Sequence, residues 1–270
     1  MSSLQYYCSD CKTILREAES ELDLSRASEP CPFCGSPLSE SLQKRRLGQK
    51  TQGRVLFQPA SQVSRLTTGI EKMDFILYSL GLNQKVAIVG TNSQKLVERL
   101  AVRAQLPHKY GGLDSHVILV DGGNSSDPYL SINFARQYGL DVNQVLSKII
   151  SSRAFTVHQL ENLITHELSS VISRYRARLV IISDLLAMFS DPYLDDSYAQ
   201  QILDSILDFI SKLKQCLVII SISKHTKYDY VLKSFDKIIS LSSKSDSISV
   251  DIDDKNFALK QNDLELVLHR

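Results

Sequence analysis

Four of the five cysteines stand in two pairs, Cys8-x-x-Cys11 and Cys31-x-x-Cys34, with 19 residues between the pairs. This is the spacing of a zinc ribbon, in which each pair sits on a tight turn and four thiolates surround one tetrahedral Zn²⁺. "CPFCG" supplies the proline and glycine that such a turn favours. A site closed by four sulfurs leaves no open coordination position, so its role is structural. The other reading of the same residues is a pair of disulfides or free thiols. A reducing compartment disfavours the disulfides, and so short a segment has little core without a metal. Cys216 stands alone before "LVIISI" and reads as a buried strand residue.

The next stretch able to do chemistry is Val86 to Leu100, "VAIVGTNSQKLVERL". It reads as a buried strand, Gly90, a short polar turn, and a helix with Leu96, Val97 and Leu100 on one face. Nucleotide-binding α/β proteins place their phosphate loop in this layout, yet G-x-x-x-x-G-K-[ST] is absent. A third stretch, "DGGNSSDPY", follows the apolar run "VILV" and falls where open α/β sheets bind ligands. Read structurally, Asp127 caps a helix, Pro128 takes its first position, and Asp121 is an acceptor for the turn.

The elements that must position these residues follow from hydrophobic patterning. "KVAIVG", "SHVILVD", "RLVIIS" and "CLVIISI" are short apolar runs separated by helical stretches, the pattern of a twisted parallel sheet with helices on both faces. The tail alternates apolar with polar residues in "SISVDID" and "DLELVL", which predicts antiparallel strands extending one sheet edge. The fold class is therefore α/β, with three expected segments: a zinc ribbon over 1–42, a basic linker over 43–64 and a core over 65–270.

Charge marks the first boundary. Residues 1–40 contain seven acids, and then none occurs until Glu71, while Lys44, Arg45, Arg46, Lys50, Arg54 and Arg65 lie between. Such a segment reads as a solvated tether, or as a contact with a phosphate backbone. The whole chain of 270 residues is 43% hydrophobic with a net charge of +1, enough for a large core but without a global pull toward polyanions. No run of about 18 apolar residues occurs and the start "MSSLQYYCSD" is polar, so a cytoplasmic protein without membrane partners is expected.

Four blocks, "LTTGIEKMDFIL", "LAVRAQLP", "GLDVNQVLSKIISSRAFTVHQ" and "LVIISDLLAMF", resemble in order and spacing the core of archaeal RadA, within the RecA/RadA recombinase family. The resemblance spans about residues 65–222. It implies a RecA-like P-loop ATPase core that acts on DNA in recombination or repair. The cysteine pairs are similar to the module that precedes the core in bacterial RadA, with a longer gap here.

That resemblance also implies positions for the nucleotide chemistry. Read without gaps from "LAVRAQLP", Asn92 stands at the second loop glycine, Ser93 at the phosphate lysine and Gln94 at the metal-binding hydroxyl. Sliding the frame to rescue Lys95 rotates it about 200° around the helix and puts Leu96 at the hydroxyl position. Ser183 takes the place of the metal aspartate, with Asp184 one residue later, and Gly123 takes the place of the water-activating glutamate. Gly90, Asn92, Ser93, Gln94, Lys95, Asp121, Gly123, Ser183 and Asp184 thus form a vestigial nucleotide site with no catalytic residue, at which tight ATP binding is not expected.

Two further sets complete the reading. DNA contact is expected of Lys44, Arg45, Arg46 and Lys50 on the linker and of Lys224, Lys227 and Tyr228 after "VIISI", where cations adjoin an aromatic. The same residues also read as a solvated loop, as do Arg174, Arg176 and Arg178 in "SRYRARL". "FQPA", with Phe57 and Ala60, is similar to the F-x-x-A element by which family recombinases dock on a neighbour. The expectation is a non-hydrolysing accessory protein of recombination and repair, with a structural Zn²⁺ and with DNA, a RadA-type recombinase or another repair protein as partners. The alternatives are an ATP-dependent RadA-like repair ATPase with an atypical site and a protein-interaction scaffold that does not act on DNA.

Overall fold

A computed structural model describes residues 65–264 except 225–226 and 244–246, together with three short strands nearer the amino terminus. The chain divides into two compact units, Met1–Val63 and Ser64–Arg270. In the first, β1 (Leu4–Cys8) pairs antiparallel with both β2 (Thr13–Ala18) and β3 (Ser39–Ser41). Cys8 ends β1, while Cys11, Cys31 and Cys34 lie outside the described residues, as do Lys44, Arg45, Arg46, Lys50, Phe57 and Ala60.

The second unit opens with a small ladder of β4 (Arg65–Leu66) and β5 (Leu80–Gly81), joined by α1 (Glu71–Leu77). Then come β6 (Lys85–Val89), α2 (Ser93–Arg103), β7 (Val117–Asp121), α3 (Pro128–Gln137), α4 (Val142–Lys148) and β8 (Ile149–Arg153). A long helix follows, α5 (Val157–Asn162) running through a π turn into α6 (Leu168–Tyr175), and then β9 (Leu179–Ser183), α7 (Asp196–Lys212) and β10 (Leu217–Ile222). The last strands are β11 (Lys237–Ser243), β12 (Ser247–Ile252) and β13 (Lys255–Lys260).

These strands form one sheet in the order β13-β12-β11-β6-β10-β9-β7-β8. It is parallel from β11 to β8, and β12 and β13 add an antiparallel edge. The chain leaves β6 and β7 toward the β8 edge, and leaves β8, β9 and β10 toward β11. Crossovers of one hand running in opposite directions put their helices on opposite faces. Accordingly, Val86, Ile88, Leu179 and Ile181 pack with Leu96, Val97 and Leu100 of α2, while Ala87, Val180, Ile182 and Ile220 pack with Leu160 of α5 and Ile202, Leu203 and Ile206 of α7. Strands apolar on both faces account for the unbroken runs in the sequence.

Helix starts follow their capping residues. Asp127 accepts from the Tyr129 N–H with Pro128 at the first helical position, and Asp141, Thr156 and Asp195 cap α4, α5 and α7 in the same way.

At the antiparallel edge "SISVDID" yields β12 as expected, and the strand that pairs with it, β13 at 255–260, is one that patterning did not single out; of "DLELVL" only Asp263 and Leu264 are among the described residues, and they lie in a 3-10 turn. Asp253 and Asp254 both take left-handed φ values of 49° and 64°, so a two-residue hairpin closes at once and the return strand begins at Lys255. The edge strand β8, hidden in "LSKIISSRAF", was likewise not foreseen from patterning; only its first two residues are apolar.

Candidate functional site at the carboxyl ends of the strands

Beside β6 and between β7 and β9, neighbouring strands send their connections to opposite faces, which is where open α/β sheets place their ligand crevice. At the first of these points, Gly90 to Asn92 alone connect β6 to α2. Gly90 has φ +111°, and a Cβ on it would stand 1.8 Å from the Leu241 carbonyl of β11. Its own carbonyl accepts from the Ser93 N–H (2.9 Å), which closes the turn tightly. Asn92 Nδ2 donates to Ser243 Oγ (2.7 Å) at the end of β11. The loop thus folds down onto β11 instead of arching into a cradle of N–H groups.

The first turn of α2 delivers Gln94 to the ends of β7 and β9. Ser183 Oγ, fully buried on the last residue of β9, donates to Gln94 Oε1 (2.7 Å) and shares a hydrogen bond with Ser125 Oγ (2.7 Å). On the other side of the amide, Gln94 Nε2 donates to Glu98 Oε1 (2.8 Å) one helical turn on. Glu98 is 2% exposed and also accepts from the Asp127 N–H (3.1 Å) and Ser131 Oγ (2.6 Å). Burial lifts its carboxyl above the ordinary range, opposed by the bonds from Ser131, Asp127 and Gln94.

Asp121, buried at the end of β7, accepts from the Ser125 N–H (3.0 Å), from Ser126 Oγ (2.8 Å) and from Arg153 Nε (3.1 Å). It fastens the "DGGNSSDP" turn, as read from the sequence. Asp184 takes φ 49° and turns toward the end of β10, where its carboxylate accepts from the Ser223 N–H (2.9 Å) and Ser223 Oγ (2.8 Å). A Cβ on Gly123 would lie 2.6 Å from the Asp184 Cβ. The space a glutamate at 123 would need is therefore taken by Asp184.

A model of the Rad51 family matches residues 60–227, more than half of the chain. The chain belongs to the Rad51 family. Its fold is accordingly the RecA-like core, and the family acts in DNA recombination and repair.

In P-loop ATPases a helix hydroxyl and a strand-end aspartate hold one Mg²⁺ between them. In this Rad51-family chain Gln94, at the start of α2, and Ser183, at the end of β9, are in direct contact at 2.7 Å. Lys95, one position on, is half-buried, and Leu96 packs in the core. Glu98 and Asp121, both 2% exposed, are buried carboxylates close to this contact, Asp121 paired with Arg153. Among the described residues no group of three or more His, Cys, Asp and Glu could hold a metal ion, and the four cysteines proposed for Zn²⁺ are not fully among them.

The loop after β10 departs from expectation at one residue. Tyr228 is 5% exposed, its ring packed edge-on against Phe189 with centroids 6.1 Å apart and its hydroxyl donating to Asp196 (3.1 Å). A base cannot stack on a ring already packed in this way, so Tyr228 is a core residue. Lys227 is paired with the Asp196 carboxylate, and Lys224 is exposed. Glu98 was the residue that patterning missed. Its signal was faint: position i+4 from Gln94 on a helix that also buries Leu96, Val97 and Leu100.

Proposed function

We propose that this Rad51-family chain is a non-hydrolysing accessory protein of DNA recombination and repair, which acts by holding DNA or a RadA-type recombinase and not by turning over ATP. The observation that carries this reading is the direct contact between Gln94 and Ser183. Where a working site places a divalent cation between a hydroxyl and a carboxylate, an amide and a hydroxyl satisfy each other. Without the phosphate lysine, metal carboxylate and general base, little electrostatic stabilisation of phosphoryl transfer remains.

The expected result is no ATP turnover above background with Mg²⁺, with or without DNA, and no tight Mg²⁺-dependent ATP binding by calorimetry. Hydrolysis that disappears in Lys95→Ala with the fold intact would overturn the reading. In the amino-terminal unit we propose one structural Zn²⁺ on Cys8, Cys11, Cys31 and Cys34. Metal analysis of protein purified without chelators should return one zinc per chain; none would refute the site.

A further inference from the structure

The opposite end of the sheet carries the charge that the crevice lacks. Two turns meet at the amino ends of β7 and β9, which pair in register at Val117 and Leu179. The first turn, at 107–116, contributes His108, Lys109, Tyr110 and His116; the second, at 174–178, contributes Arg174, Tyr175, Arg176 and Arg178. The contacts between them are direct. Arg178 Nη1 donates to His108 Nε2 (3.3 Å), and the Tyr175 ring lies 5.8 Å from that of His116. Arg174 sits over the Tyr175 ring at 5.5 Å and Lys109 over Tyr110 at 4.8 Å. In these two segments the sole acid is Asp114. Among the described residues Lys109, Arg174 and Arg176 form no ion pair with a carboxylate. Tyr110 is 59% exposed.

Cations near the last turn of α6 complement its dipole, which accounts for Arg174. It does not account for Lys109 and an outward Tyr110, which arrive from a separate turn. At the carboxyl end, by contrast, the loops bear Asp121, Asp127, Asp184, Asp191, Asp195 and Asp196, and Lys227 is already paired.

We propose that a single strand of DNA lies across the amino ends of β7 and β9, its phosphates held by Lys109, Arg174 and Arg176 and one base stacked on Tyr110. Unpaired cations beside an exposed aromatic are the elements of a single-strand platform. The inference rests on the reading of the chain as a DNA-binding accessory protein, and it places the strand on the face away from the vestigial nucleotide site.

The test is fluorescence anisotropy of the full chain with a labelled oligothymidylate and with a duplex, in a salt series from about 50 to 200 mM. K109Q/R174Q/R176Q is expected to weaken single-strand binding at least about tenfold at the low end and to reduce the slope of log K against log salt by about 2. Y110A should weaken the single strand more than the duplex. Coincident thermal unfolding shows that each variant is folded. Unchanged binding by the triple variant, with loss in K224Q/K227Q or K44Q/R45Q/R46Q, overturns this inference and leaves the accessory reading standing. Wild-type protein that binds neither DNA also overturns it, leaving the recombinase partner and the turnover assay to judge the function. ATP hydrolysis lost in Lys95→Ala, with the triple variant still defective, sinks the functional reading alone.

Discussion

The two ends of the parallel sheet handle charge in opposite ways. At the carboxyl end three acids are bound up within the fold: Asp121 fastens the turn after β7, Asp184 ties β9 to the end of β10, and Glu98 gathers three donors. At the amino end Lys109, Arg174 and Arg176 are exposed, Lys109 over the Tyr110 ring and Arg174 over the Tyr175 ring. Groups that satisfy one another within a fold have no bonds left for a ligand, whereas exposed cations without carboxylate partners can still displace the counter-ions condensed on a polyanion. The polar groups at the carboxyl end are bonded to one another, and the surface proposed for DNA lies at the amino end.

Gly90→Ala should have the largest effect on this contrast, because it combines a left-handed φ with a methyl driven into the Leu241 carbonyl. A loss of at least about 3 kcal/mol in urea unfolding is expected. The left-handed φ alone costs about 1 kcal/mol even in open space, so a loss no larger than that would refute the tight closure against β11.

Gly123→Glu, which reinstates the family's glutamate, should cost about 2 kcal/mol through collision with Asp184 and should bring no ATP turnover. Gain of activity from this single change would mean that the carboxyl end is dormant and not closed.

Glu98→Gln sharpens the comparison through pH. Burial holds the folded carboxyl above the ordinary value of 4.5, so the folded state binds the proton better than the unfolded chain does. The stability that this group contributes is complete below the unfolded value and is lost as pH rises through the raised folded one. Removing the carboxylate should abolish that part of the slope in a pH series of unfolding curves, at a cost of about 1 kcal/mol for a displaced hydrogen bond. An unchanged pH profile would show that Glu98 is not the buried titrating group.

The smallest effect is expected at the amino end, where K109Q/R174Q/R176Q should shift stability by no more than about 0.5 kcal/mol. A larger loss would assign those cations to the fold and erase the distinction between the two ends.

Much of this protein was legible in the residues alone. Runs such as "VILVD" and "LVIIS" report burial on both faces, which only central parallel strands require, and the Asp127-Pro128 pair announces its helix because capping is decided within one turn. What local patterning could not report were contacts between residues distant in the chain. Gln94 meets Ser183 across 89 positions, Gly90 is pressed by β11, and His108 reaches Arg178 only because β7 and β9 are neighbours in the sheet. Tyr228 looked like a stacking platform beside its lysines until Phe189, from another connection, covered its ring. Secondary structure follows from spacing within a few residues; whether a polar group is spent inside the fold or left for a partner depends on which distant segment packs against it, and that is settled only when the sheet assembles.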